Sequence, residues 1–241
     1  MRNLPVIVLV LSITAAARAS VDEALDALHQ SGVDLKSLAA DVTLRTTSGD
    51  LGDDRTRVGT FVMQKLADGN TRVRASFTKT ISGNRTTLER RDYVLSGTDL
   101  IDRDYSASPK KQTTTQVRKP GEKVDLLKLG EGPFPLPVGQ SRQDVLKEFD
   151  VEEQKTDDPT ALALIKLSPK PKTPLAEKFK WITVLIDRTT KLPKVVTTAD
   201  PQEVDVNTAT LSNLRVNGDV KDAEFELERI NPTDWNLIDQ R

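Results

Sequence analysis

Any chemistry in this 241-residue chain would have to proceed without cysteine and with a single histidine. His29 lies beside the apolar stripe of a helical segment, and no acid, base or metal ligand is adjacent to it. Acid–base and metal chemistry both need such partners, so His29 reads as a solvated edge residue. One histidine and no cysteine also remove the usual nitrogen and sulfur donors of a zinc site. Asp50, Asp53 and Asp54 sit in the turn SGDLGDD, without the ligand spacing or closing glutamate of an EF-hand. Serines occur outside any G-x-S-x-G setting, and neither a P-loop nor a dinucleotide fingerprint is present. These patterns point away from an enzyme and imply no cofactor and no metal.

Charge narrows the partners. The formal net charge is −1, which argues against a general nucleic-acid binder. Arg85, Arg90, Arg91, Arg103, Lys110, Lys111, Arg118, Lys119 and Lys123 still form a basic cluster. That cluster reads either as a solvated sheet face or as a docking face for an acidic partner or an anionic headgroup.

The opening MRNLPVIVLVLSITAAARA has a basic n-region at Arg2, an apolar core over 4–13 and an Ala17-Arg18-Ala19 cleavage pattern. The apolar run is shorter than the ~20 residues needed to span a bilayer. A signal peptide cut after Ala19 is therefore expected, leaving one extracytoplasmic domain over 20–241. Without cysteine that domain can have neither a disulfide nor a cysteine-attached lipid.

A capping-box pattern at Ser20-Val21-Asp22-Glu23 opens an amphipathic helix that ends at Ser31-Gly32, with a helical turn possible over 34–38. Alternating apolar and polar residues then predict strands over 40–44, 56–66, 71–81, 86–96, 99–105 and 113–117. Segment 120–149 breaks this rhythm with a short helix over 123–131, an apolar Pro-rich flap (GPFPLPVG) and a helix over 141–149. Strands resume at 151, 161–167, 203–216 and 224–230. The hairpin over 178–200 is nearly continuously apolar in its first strand, which suggests a mid-sheet position covered on both faces. The fold class is mainly β (α+β): one antiparallel sheet of about ten or eleven strands with helices over it.

Several of these segments resemble the periplasmic outer-membrane lipoprotein carrier family, the LolA-like proteins. Gly59-Thr60-Phe61-Val62-Met63-Gln64-Lys65 is similar to the family's G-x-[LF]-[WV]-V-K-R strand, and Asn70 to Arg74 to the strand that follows. Pro133-Phe134-Pro135-Leu136 resembles the mid-chain P-F-x-L loop, and Leu167-Ser168-Pro169-Lys170 the L-x-P-K strand end. Residues 182–200, Phe225 and 235–238 fit as well.

The resemblance implies a single curved antiparallel sheet forming an unclosed β-barrel, with a helical lid over a hydrophobic cavity. Its job would be to bind the acyl chains of lipoproteins in the periplasm and move them toward the outer membrane. The implied partners are acylated lipoproteins, an inner-membrane donor complex and an outer-membrane acceptor, met by a monomer that touches membranes only transiently. Alternation and the resemblance together make Val42, Leu44, Phe61, Met63, Val73, Phe77, Ile182, Val184 and Ile186 the cavity wall. Leu25, Leu28, Phe134 and Leu136 are the expected lid. Lys65 stands where the family has an arginine that closes the lid through backbone hydrogen bonds, and is a candidate latch without arginine's planar fork. A lipoprotein sensor that docks a signalling partner on the same sheet, and a structural envelope protein with a packed core, are the alternatives.

Overall fold

The computed structural model describes residues 14–49, 52–117 and 138–241, with the side chains of 14–20, Asp53 and Ser96 excepted. In chain order the elements are α1 (Thr14–Asp34), β1 (Ser37–Ser48), β2 (Asp53–Lys65), β3 (Thr71–Ser82), β4 (Arg85–Thr87), β5 (Arg91–Ser96), β6 (Asp99–Asp104) and β7 (Lys110–Gln116). There follow α2 (Arg142–Glu148), β8 (Phe149–Gln154), β9 (Ala161–Pro169), β10 (Trp181–Asp187), β11 (Pro193–Ala199), β12 (Asp205–Val216) and β13 (Trp235–Gln240).

All thirteen strands belong to one curved sheet ordered β13-β7-β6-β5-β3-β2-β1-β12-β11-β10-β9-β8, with β4 paired to β3. Two meanders, β1 to β7 and β8 to β12, are welded side by side through the β1–β12 ladder. β8 and β13 are the two ends of the order and do not pair, so the barrel stays open. The β2–β3 ladder carries a register shift between Val58 and Gly59. A Cβ at Gly59 would fall 1.9 Å from the Ser76 carbonyl oxygen, so only glycine admits this close crossing.

Each strand's period of two sends one set of side chains inward. Along β9 and β10 the burial alternates cleanly, with Ile165, Leu167, Ile182, Val184 and Ile186 fully buried. Helix α1 lays Ala24, Leu25 and Leu28 on this inner face, packing against β8, β9 and α2. Ser141 caps α2, its hydroxyl accepting from the Asp144 amide.

Several expectations are corrected. The hairpin β10–β11 is not at mid-sheet; that place belongs to β2, β1 and β12. Its outer apolar residue Leu185 is flanked by Leu164 and Val195 on the neighbouring strands, so the apolar run reflects mutual shelter, not cover on a second face. Helix α1 begins before Ser20 and runs through Ser31-Gly32 to Asp34, where β1 soon follows in place of a second helical turn.

The segment 224–230 is not a strand. It follows a 3-10 turn at Asp222–Glu224 and runs as a strap over the outer face to reach β13, which pairs with β7 in parallel. Arg74 Nη1 donates to the Glu224 and Glu226 carbonyls (3.3 and 2.8 Å), and Arg103 Nη1 to the Glu228 carbonyl at 2.7 Å. Guanidinium groups thus satisfy backbone oxygens that a ladder would otherwise have taken. Phe225 packs beneath the strap with Ala39 and Val62, under the Arg72 guanidinium at 4.1 Å from the ring centroid. At the far end the Trp235 and Tyr105 rings meet edge to face.

Candidate functional site

The inner face is one continuous apolar surface drawn from both meanders. Of the expected wall, Val42, Phe61, Met63, Val73, Phe77, Ile182, Val184 and Ile186 are buried in a single cluster, and Leu44 packs at its margin. Leu25 and Leu28 of the expected lid join the same cluster from α1. Phe134 and Leu136 lie outside the described residues. Tyr93, Leu95, Ile165, Leu167 and Phe149 complete the surface. The alternation over 161–167 already marked two of these. Phe149 is the surprise, because it ends α2 and starts β8 in one step.

Helix α1 is held most firmly near its C-terminus. Lys65 Nζ donates to the Gly32 carbonyl at 2.6 Å. The Asn217 side chain donates to the Asp34 carbonyl (3.0 Å) and accepts from the Lys36 amide (2.6 Å). Together they satisfy carbonyls that a helix end leaves without partners. The Gly139 amide donates to the Leu28 carbonyl at 3.1 Å, and His29 Nδ1 lies 2.9 Å from the Gly139 carbonyl oxygen. His29 is therefore a tether between α1 and the chain before α2, not a solvated edge residue. A Cβ on Gly32 would come within 2.2 Å of the Gly139 nitrogen, so the two backbones meet through glycine.

The inner face of the first meander changes character along its strands. One row across β2, β3, β5 and β6 is Met63, Val73, Leu95 and Leu100. Two residues on, the row becomes Phe61, Ala75, Tyr93 and Asp102; two further, Gly59, Phe77, Arg91 and Asp104. Hydrocarbon gives way to charge over four residues of β2, about 13 Å of strand. At the charged end a cavity of about 120 Å³ is lined by Arg55, Arg57, Phe77, Thr80, Glu89, Arg91, Asp104 and Ser106.

Arg91 donates to both carboxylate oxygens of Asp102 (3.0 and 2.7 Å), and that bond raises its pKa against the effect of burial. Burial works against the charge on Asp104, yet bonds from the Ser106 hydroxyl and the Ser106 and Ala107 amides, with Arg91 nearby, hold its pKa below the usual value. Burial pushes the Tyr93 hydroxyl up. Nothing in the sequence separated Arg57 from the arginines of the wet face.

Three residues of the basic cluster are spent within the molecule. Arg90 bonds Asp92 and Glu228, Arg91 bonds Asp102, and Arg103 bonds Gln112 and the Glu228 carbonyl. Arg103 is buried. Neither a solvated face nor a docking face describes these three residues. Arg85, Lys110 and Lys111 are exposed, and Arg118, Lys119 and Lys123 lie outside the described residues. Asp54 pairs with Arg45 across β1 and β2, while Asp50 is not among the described residues. Among the described residues there is no metal-binding cluster and no helix long and apolar enough to cross a membrane.

No family model and no curated protein matches the sequence. Solved structures do match the fold. An uncharacterized conserved protein from Thermus thermophilus is 11% identical, over 92% of this chain and 99% of that one, with a TM-score of 0.50. A LolA superfamily protein from Nitrosomonas europaea is 10% identical over 85% and 96%, with a TM-score of 0.35. The Pseudomonas aeruginosa MucA/MucB complex gives 12% identity over 86% of this chain and 60% of the matched one, with a TM-score of 0.46. At these identities the likeness is one of fold alone: one curved sheet left open between its two edge strands.

Proposed function

We propose that this protein is an extracytoplasmic carrier that shelters the acyl chains of lipoproteins between the inner face of its sheet and α1. The observation that carries the reading is the composition of that face. Aliphatic side chains from both meanders and from the lid helix form one cluster beneath an open barrel. Acyl burial gains about 0.8 kcal/mol per methylene, so a lipid anchor in water carries a large penalty that such a surface removes. Hydrocarbon contact is also non-directional, so cargo can leave without stranding a polar partner.

In this reading Val42, Leu44, Phe61, Met63, Val73, Phe77, Ile182, Val184 and Ile186 bear the chains. Leu25 and Leu28 cover them, with Phe134 and Leu136 alongside, and Lys65 ties the cover down. Acylated lipoproteins are the cargo, delivered by an inner-membrane donor and taken by an outer-membrane acceptor. The leader is removed after Ala19, which would make Ser20 the start of α1 and return its capping box to use.

The test is mass spectrometry of organic extracts from protein purified from the compartment to which it is exported, followed by transfer of a lipoprotein between donor and acceptor membranes. Stoichiometric acyl lipid and measurable transfer are expected. Lipid without transfer would instead indicate a sensor that keeps its ligand, and a lipid-free protein that takes up none on reconstitution would end the proposal.

A further inference from the structure

The gradient along the inner face of the first meander has the form of an amphiphile: hydrocarbon at the Met63 row and the charged pair Arg91 and Asp104 two rows on. We infer that the cavity at its charged end is a headgroup site for the phosphate of an anionic phospholipid, whose chains lie along the apolar rows. This rests on the acyl-binding reading above and adds a phosphate-bearing lipid to the lipoprotein anchors as a ligand of the same face.

Three observations carry it. The cavity and the apolar face share a wall, because Phe77 lines the cavity and is also fully buried in the inner cluster, edge to face with Tyr93. A ligand that fills the cavity is thereby set at the start of a hydrocarbon path. The volume, about 120 Å³, equals roughly four waters, which suits a small oxyanion rather than a sugar.

The charges also sort themselves. Arg91 is committed to Asp102, and Asp104 to Ser106 and Ala107. Half-buried Arg57 makes no hydrogen bond or ion pair among the described residues. Arg57 is therefore the cation available to an incoming phosphate, with Arg55 on the same lining and Glu89 as the acidic counterweight. A guanidinium matches two phosphate oxygens at once, and partial burial strengthens that match relative to water.

The test compares dioleoyl phosphatidylglycerol with dioleoylglycerol, which has the same chains and no phosphate, by displacement of a fluorescent fatty-acyl probe. Wild-type protein should prefer the phosphate-bearing lipid by about tenfold or more, the worth of one charge-assisted hydrogen bond. Arg57→Gln should remove that preference and leave dioleoylglycerol affinity unchanged, while Glu89→Gln should increase it. Opposite responses from two charge-removing variants are not what a general loss of fold would give, and circular dichroism checks each one.

Equal affinity for the two lipids, or a preference that survives Arg57→Gln, overturns the headgroup site and leaves acyl binding standing. Failure to bind either lipid overturns both. If inorganic phosphate alone competes as well as phosphatidylglycerol does, the cavity is a free-oxyanion site and the lipid assignment falls.

Discussion

On the inner face, Ile165, Leu167 and Val184 are fully buried among other aliphatic side chains. On the outer face, Arg74 and Arg103 aim guanidinium groups at the Glu224, Glu226 and Glu228 carbonyls. The same sheet therefore packs its inner face by contact and holds its strap by direction. Contact tolerates rearrangement as long as volume is conserved, whereas a fork of donors tolerates almost none.

Truncating Ile165 or Val184 to alanine would break the inner half of this contrast, at a cost of about 2–5 kcal/mol for the larger side chain and somewhat less for valine. Denaturant unfolding reads it out. Met63→Leu, a near-isosteric change, should cost less than about 1.5 kcal/mol in the same assay. If Met63→Leu proves as damaging as Ile165→Ala, the inner face is a rigid jigsaw and the distinction fails.

On the outer side Arg103→Ala leaves the Glu228 carbonyl and Gln112 without their donor, a loss of about 1–3 kcal/mol. Limited proteolysis should then cut within 219–234 before it cuts elsewhere. Arg103→Lys should recover little of this, because an ammonium cannot serve Gln112 and Glu228 through one planar fork.

Gly32→Ala sets a methyl group against the Gly139 backbone. It should destabilise by about 1–3 kcal/mol and raise hydrogen exchange in α1 ahead of the sheet.

The smallest effect should come from acid. Bonds from the Thr160 hydroxyl and Lys194 hold Asp158 at about 2, below its ordinary value of 3.8. Its contribution is thus complete above about pH 4 and is lost as the pH falls toward 2. Asp158→Asn should flatten an acid titration of stability over that window only slightly, since the carboxylate is partly open to solvent and its pairs are screened.

Strand positions were legible because a period of two is a local signal, and Val73, Phe77 and Ile182 fell on the inward face as alternation required. The order of the strands was not. The β1–β12 weld joins residues far apart in the chain, and nothing near Leu185 announced that its shelter would come from Leu164 and Val195. The strap misled for a related reason: EFELERI alternates like a strand, but its carbonyls bond to arginines more than a hundred residues away. The charged end of the inner face stayed hidden because Arg57 becomes distinctive only once Arg91 and Asp104 have found their partners.

The grip on α1 is uneven along its length. Lys65, Asn217 and Gly139 all hold residues 28–34, next to the point where the chain already enters β1. Toward the other end, among the described residues, apolar contact is supplemented by the partly exposed pairs of Arg142 with Asp22 and Asp26. A rod pinned this way is a lever whose fulcrum lies at Gly32. Small rotations there would sweep the Val21 end through the widest arc, while residues 28–34 would barely move.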